Sequence, residues 1–176
     1  MKMILATAIL AASTNLGLAQ EVNPPAADAK AEFINAEGKM IGSATLAKTP
    51  RGVLIRASFS DLEPGMHGFH IHEVGECDPA TEFSSAGGHY APRGNEHGYM
   101  SEKGPHAGDM PNQWAAADRS MTVEVFNDQL SLEGGEAPIF DADGSAIVVH
   151  SKTDDYISQP SGAAGDRIAC GVIQKP

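Results

Sequence analysis

The chain has 176 residues, room for one ordinary domain plus a targeting segment, and a domain of that size covers roughly two thirds of the surface its unfolded chain exposes. Its 12 basic against 23 acidic residues give a net charge of −11, which argues against nucleic acid as a partner, because such binding needs clustered Lys and Arg. The same balance makes any local positive spot informative if the substrate is a small anion, since the overall field would repel one.

In chain order, Lys2 precedes an apolar stretch from Met3 to Ala12, and the small residues Gly17 and Ala19 come before Gln20 and Glu21. A basic start, a short apolar run and small residues three and one before a cut form the pattern of a secretory signal peptide, with cleavage expected after Ala19. The run falls well short of the ~20 residues that span a bilayer, and no later stretch is long enough. Residues 1–19 are therefore expected to leave, and 20–176 to form one domain without a membrane anchor.

After Pro24 and Pro25 an Ala-rich arm leads into short strand-like runs at 31–35, 40–47, 53–60 and 66–72. The turns Ala36-Glu37-Gly38-Lys39, Thr49-Pro50-Arg51-Gly52 and Leu62-Glu63-Pro64-Gly65 separate them. Between Glu73 and Ser120 the periodicity disappears, and that segment holds seven glycines and three histidines. A structureless run this long inside a compact domain is usually functional, and metal ligation would supply the order that secondary structure does not. Patterned runs resume at 121–126, 129–132, 145–149 and 167–173, with no sustained helical stripe and no internal repeat. Eight short strands with Gly- and Pro-rich turns predict an all-β sandwich or antiparallel barrel.

The histidines carry the chemistry. Side chains alternate along a strand, so His70 and His72 share one face while His67, Phe69 and Ile71 share the other. The His-x-His pair presents two imidazoles to one point, and His67 goes inward with the apolar residues as a hydrogen-bonded structural histidine. The irregular segment adds His89, His97, His106 and Asp109, and three imidazoles with one carboxylate make a suitable tetrahedral shell for zinc. His150 ends the apolar run Ile147-Val148-Val149, where it can reach outward beside His70 and His72; such a set of imidazoles suits copper. Two lone cysteines, Cys77 and Cys170, would pair in an oxidising compartment, although two unrelated buried thiols remain the alternative. In the chain-entropy picture a bridge closing about 90 residues stabilises a fold by roughly 4–5 kcal/mol.

The runs Gly68-Phe69-His70-Ile71-His72-Glu73, Ser85-Ala86-Gly87-Gly88-His89 and Gly165-Asp166-Arg167-Ile168-Ala169-Cys170-Gly171-Val172-Ile173 resemble those of copper/zinc superoxide dismutases. The resemblance covers residues 30–174 or so and implies an eight-stranded antiparallel Greek-key barrel with long metal-binding and electrostatic loops. It implies dismutation of superoxide to dioxygen and hydrogen peroxide, with copper on His70, His72, His89 and His150 and zinc on His89, His97, His106 and Asp109. His89 would be shared by both ions and would also act as a general acid. Asp154 matches the family carboxylate that orients one ligand of each metal, Cys77 and Cys170 match the family disulfide, and Arg167 matches the arginine beside copper. The alternative for Arg167 is a surface ion pair with Asp166.

Cys77 to Ser85, and Asp155-Tyr156 ahead of Pro160-Ser161-Gly162, resemble the secreted bacterial branch, which implies the periplasm. Lys103 and Lys152 are candidates for steering substrate, and neither is assigned. A copper-only relative is disfavoured by His97, His106 and Asp109. A copper/zinc storage or delivery module could do without the copper shell and Arg167, and a zinc-binding adhesion domain fits still less. Trp114 is read in two ways, as an exposed contact of a homodimer or as cover for the segment's own small core.

Overall fold

A computed structural model of the protein describes residues 26–176, so the signal segment read from the sequence lies outside the described residues. The strands are β1 (Ala29–Asn35), β2 (Met40–Thr49), β3 (Gly52–Phe59), β4 (Gly65–His67), β5 (Phe69–His72), β6 (Gln113–Ala115), β7 (Met121–Asn127), β8 (Ala146–His150) and β9 (Arg167–Val172). Seven of them form one curled antiparallel sheet in the order β5-β8-β9-β1-β2-β3-β7, and β4 pairs separately with β6. Because β4 runs into β5 and β6 lies against β7, the small pair bridges the two ends of the large sheet. Closing a sheet in this way leaves few free edges, in keeping with the all-β barrel expected.

Alternation decides which side of each strand is covered. Along β7, Met121, Val123 and Val125 point into the barrel while Thr122, Glu124 and Phe126 point out. Phe33 of β1 and Phe59 of β3 meet inside with ring centroids 4.5 Å apart, among Leu46, Ile55, Phe69 and Ile147. Covering a side chain of this size stabilises the fold by roughly 1.5–3 kcal/mol. β5 and β8 differ from the rest in being buried at every position. Their inner residues enter the barrel core, whereas Val148 and Ala146 pack outward against Phe83, Ala86 and Cys170 in a small second core. The Cys77–Cys170 disulfide, closing a separation of 93 residues, ties that outer layer to β9.

The nine strands of the described residues refine the eight anticipated. The run 66–72 divides at Gly68, whose N–H donates to the Lys152 carbonyl and whose carbonyl accepts the His150 N–H, both at 2.8 Å, so the chain changes partners there. Residues 129–132 form no strand; Ser131 makes an isolated bridge to Pro138 while Leu130 and Leu132 plug the core. β6 lies within the stretch that shows no periodicity, since three residues are too few to display one.

Candidate metal centre

The irregular segment after β5 is laid along that strand's edge by backbone bonds. Glu73 N–H donates to the Gly88 carbonyl at 3.0 Å, Tyr90 N–H to Ile71 at 2.8 Å, and Ile71 N–H to Gly108 at 2.9 Å. These bonds place His89 opposite His72, and Asp109 opposite His70. On the other side β8 pairs with β5 and delivers His150 from its last position. Residues 17 or more positions apart thus meet because one strand has neighbours on both edges.

Two groups result, each with donor atoms all within 4.8 Å of one another: His70, His72, His89 and His150, and His89, His97, His106 and Asp109. His89 belongs to both. The histidines are almost wholly buried, and each ring's outer nitrogen is anchored where an acceptor is at hand. His70 Nε2 donates to Asp154 Oδ2 at 2.7 Å, His72 Nδ1 to the Gly87 carbonyl at 3.0 Å, and His150 Nδ1 to the Gly165 carbonyl at 3.3 Å. His97 Nε2 donates to Asp154 Oδ1 at 3.0 Å, so Asp154 joins one residue of each group. Fixing one nitrogen by an acceptor sets the tautomer and turns the other nitrogen inward.

Three of the inward nitrogens, His70 Nδ1, His89 Nε2 and His106 Nδ1, are buried with no hydrogen-bond partner. His106 Nδ1 does lie 3.3 Å from Asp109 Oδ1, but out of line for a hydrogen bond. Leaving several polar atoms buried and unpaired together is costly, unless they serve as donors to an ion. Neutral imidazoles and one carboxylate are also the donor types that zinc and copper take, so the residues fit both ions.

The charges follow the same geometry. Burial holds His70 and His72 below the ordinary histidine range, and likewise lowers His89 to about 4 and His150 to about 3. Burial also opposes charge on His97, but hydrogen bonds to Asp109 and Asp154 win and raise it to about 9. For Asp109, burial pulls upward, and the close imidazoles of His106, His89 and His97 with the Gly98 N–H pull harder, leaving it well below the carboxylate range. Asp154 is lowered likewise, against its burial, by His70, His97 and the Tyr156 N–H.

Arg167 stands across the β8–β9 register from His150. Its guanidinium donates to the Phe83 carbonyl at 2.6 Å and to the Gly87 carbonyl at 2.7 Å, and the latter also accepts from His72. No ion pair with Asp166 forms among the described residues, so Arg167 is held by the disulfide-linked outer layer and not by a surface acid. His67 is buried with its ring nitrogens 2.7 Å from the His150 and Glu63 carbonyls, apart from both groups.

Lys103 pairs with Glu96, and Trp114 is 62% exposed opposite Met66. Reading the sequence met Tyr156 and Gly162 only as part of the likeness to the secreted branch and did not single out Asn112 or Gln159; all four surround Asp154 and His97. A Cβ at Gly162, where φ is +69°, would collide with Asp154 Oδ1 and stand 2.6 Å from His97 Nε2, so only glycine fits. Nothing in local pattern marks Asn112 or Gln159, whose partners lie 42 and 62 positions away.

Comparison with known proteins agrees with this geometry. The family model for copper/zinc superoxide dismutase matches residues 40–173. A copper/zinc superoxide dismutase from Aquifex aeolicus (strain VF5) is 49% identical over 148 residues, covering 83% of this chain and 86% of that protein. One from Caulobacter vibrioides (strain ATCC 19089 / CIP 103742 / CB 15) is 43% identical over 141 residues, covering 78% and 80%. Among solved structures, a double mutant of a SOD-like protein from Bacillus subtilis superposes with a TM-score of 0.78 at 42% identity, covering 81% of this chain and 94% of that one.

Proposed function

The chain belongs to the copper/zinc superoxide dismutase family, and from that premise we propose how its residues divide the work of dismuting superoxide to dioxygen and hydrogen peroxide. Its cofactors are copper and zinc. His70, His72, His89 and His150 would hold copper, and His89, His97, His106 and Asp109 would hold zinc. The observation that carries the assignment is the buried, unpartnered His89 Nε2, on the one residue common to both donor sets, with the unpartnered His70 Nδ1 in one set and His106 Nδ1 in the other.

Copper supplies the one-electron change that zinc cannot, so that two superoxide ions and two protons become one dioxygen and one hydrogen peroxide. The chain's residues do the rest. Arg167, fixed by two carbonyls and next to His150 across the strands, supplies the local positive charge that draws a small anion through an acidic surface. Such focusing of a charged ligand is a general electrostatic effect, of which superoxide dismutases are themselves a known example. His89 Nε2 is the atom placed to carry a proton and hand it to the reduced product as a general acid. His89 Nδ1, 2.9 Å from Asp109 Oδ1, would join that carboxylate in holding zinc, which would keep the ring oriented. Asp154 restrains His70 and His97 together, so the two donor sets keep their spacing.

The acidic balance, the Cys77–Cys170 disulfide and the signal-like start support a periplasmic protein of residues 20–176, binding neither nucleic acid nor membrane. The exposed Met66 and Trp114, opposite one another in the β4–β6 pair, support a homodimer contact there.

The test is superoxide dismutation by the mature chain loaded with zinc alone and then with copper plus zinc. Fast turnover is expected only with copper, and a His150→Ala variant should lose it while still binding zinc. Binding of both metals without turnover would overturn the reading in favour of storage or delivery.

A further inference from the structure

Two primary amides stand outside the histidine cluster and grip its backbone. Gln159 Oε1 accepts the His97 N–H at 2.9 Å, while Gln159 Nε2 donates to the His97 carbonyl at 2.9 Å. Asn112 Oδ1 accepts the Asp154 N–H at 2.8 Å, while Asn112 Nδ2 donates to the Asp154 carbonyl at 2.8 Å. The arrangement is reciprocal. Asn112 comes from the segment between β5 and β7 and grips the one between β8 and β9; Gln159 comes from the latter and grips the former.

Each amide makes the pair of bonds that a facing residue in an antiparallel ladder would make, so two residues outside any strand have both backbone groups satisfied. Tyr156 reinforces one of them. Its backbone N–H donates to Asp154 Oδ1 at 2.6 Å, and its hydroxyl oxygen accepts the Asn112 N–H at 2.7 Å. The gripped residues differ in reach. His97 lies in the zinc set alone, whereas Asp154 touches His97 with one oxygen and His70, in the copper set, with the other.

Resting on the metal assignment above, we propose that Gln159 and Asn112 are positioning residues of unequal scope: Gln159 sets the zinc site alone, and Asn112 sets both sites through Asp154. Amides that merely stiffened the loops would disturb both sites alike, whichever one was removed. Positioning splits them.

The experiment uses the mature, disulfide-bonded chain with two neutral replacements of similar size, Gln159→Met and Asn112→Leu. Cobalt(II) serves as the probe of the zinc site, read by affinity and visible absorption. Copper(II) in zinc-saturated protein is read by electron paramagnetic resonance. Gln159→Met should weaken cobalt binding by about 10–100-fold and shift its bands, with the copper spectrum unchanged. Asn112→Leu should weaken cobalt binding to a similar degree and alter the copper spectrum as well. Copper spectra that change in both variants or in neither, or cobalt binding that changes in neither, would overturn the proposal.

His97→Ala separates this from the assignment beneath it. If that variant leaves cobalt binding intact, the zinc assignment itself fails; if it abolishes binding while Gln159→Met does nothing, only the role of the amides fails. Should either neutral variant not fold, the smaller replacements Gln159→Ala and Asn112→Ala take their places, with the same readouts and the same outcomes deciding.

Discussion

The barrel around Phe33 and the irregular segments around Asp109 are both closed to solvent at their centres, yet different forces order them. In the barrel, strands satisfy one another's backbone and apolar side chains fill the space between, so order needs nothing from outside. In the segments, order comes from polar side chains bonded to backbone groups: Asp109 to the Gly98 and His106 N–H groups, Asn112 to Asp154, Gln159 to His97. These bonds surround imidazole nitrogens that lack a partner of their own. The barrel's order thus rests on apolar packing and strand pairing, whereas that of the segments rests on hydrogen bonds around groups that titrate.

The sharpest way to break this contrast is to damage the barrel. Phe33→Ala should cost about 3–5 kcal/mol of stability in denaturant titration, with barrel and segments lost in one transition. If the segments survived barrel unfolding, their order would not rest on the barrel.

Asp109→Asn should act on one side only. Three imidazole nitrogens lie within 3.3 Å of its Oδ1, so zinc affinity should fall by at least about 100-fold and amide exchange should quicken from 89 to 112, with the barrel amides unchanged.

Acid should follow the same division in the metal-free protein. His70, His72, His89 and His150 titrate below the ordinary histidine value of 6.5 when folded, so below it the unfolded chain binds more protons and stability falls. That fall should run from pH 6.5 down to about 4 for His89 and about 3 for His150. His97 opposes nothing in this window: raised to about 9, its contribution is complete below 6.5 and fades only as pH rises through 9. Asp109 and Asp154, both lowered, contribute above 3.8 and are lost only at still lower pH. Thermal unfolding from pH 7 to 4 should show the decline, and a flat profile would count against the buried neutral histidines.

The smallest effect belongs at the boundary. Tyr90 sits in the irregular segment, and its hydroxyl donates to the Pro138 carbonyl at 2.6 Å. Tyr90→Phe should cost about 1 kcal/mol and leave metal content unchanged.

Much of this was legible in the chain itself. Parity along β5 put His70 and His72 on one side and Phe69 and Ile71 on the other, because strand geometry forces alternation whatever the partner. The donor types of His89, His97, His106 and Asp109 stood out in a stretch without strand periodicity. The split at Gly68 was not legible, since it reflects a change of partner and not of pattern. Asn112 and Gln159 stayed hidden for a related reason: they bond to backbone atoms 42 and 62 positions away, and backbone atoms leave no mark in a sequence. Trp114, open to two readings, is on the surface.

The reciprocal grip of the two amides also limits how such a centre can be inherited or transplanted. Moving the segment between β5 and β7 onto another scaffold would carry His97 without Gln159, and Asn112 without Asp154. Moving only the segment after β8 would strand the opposite halves. The smallest heritable unit is thus two stretches of chain together with the strands that hold them apart, and lineages that lengthen or shorten one stretch must keep its counterpart in step.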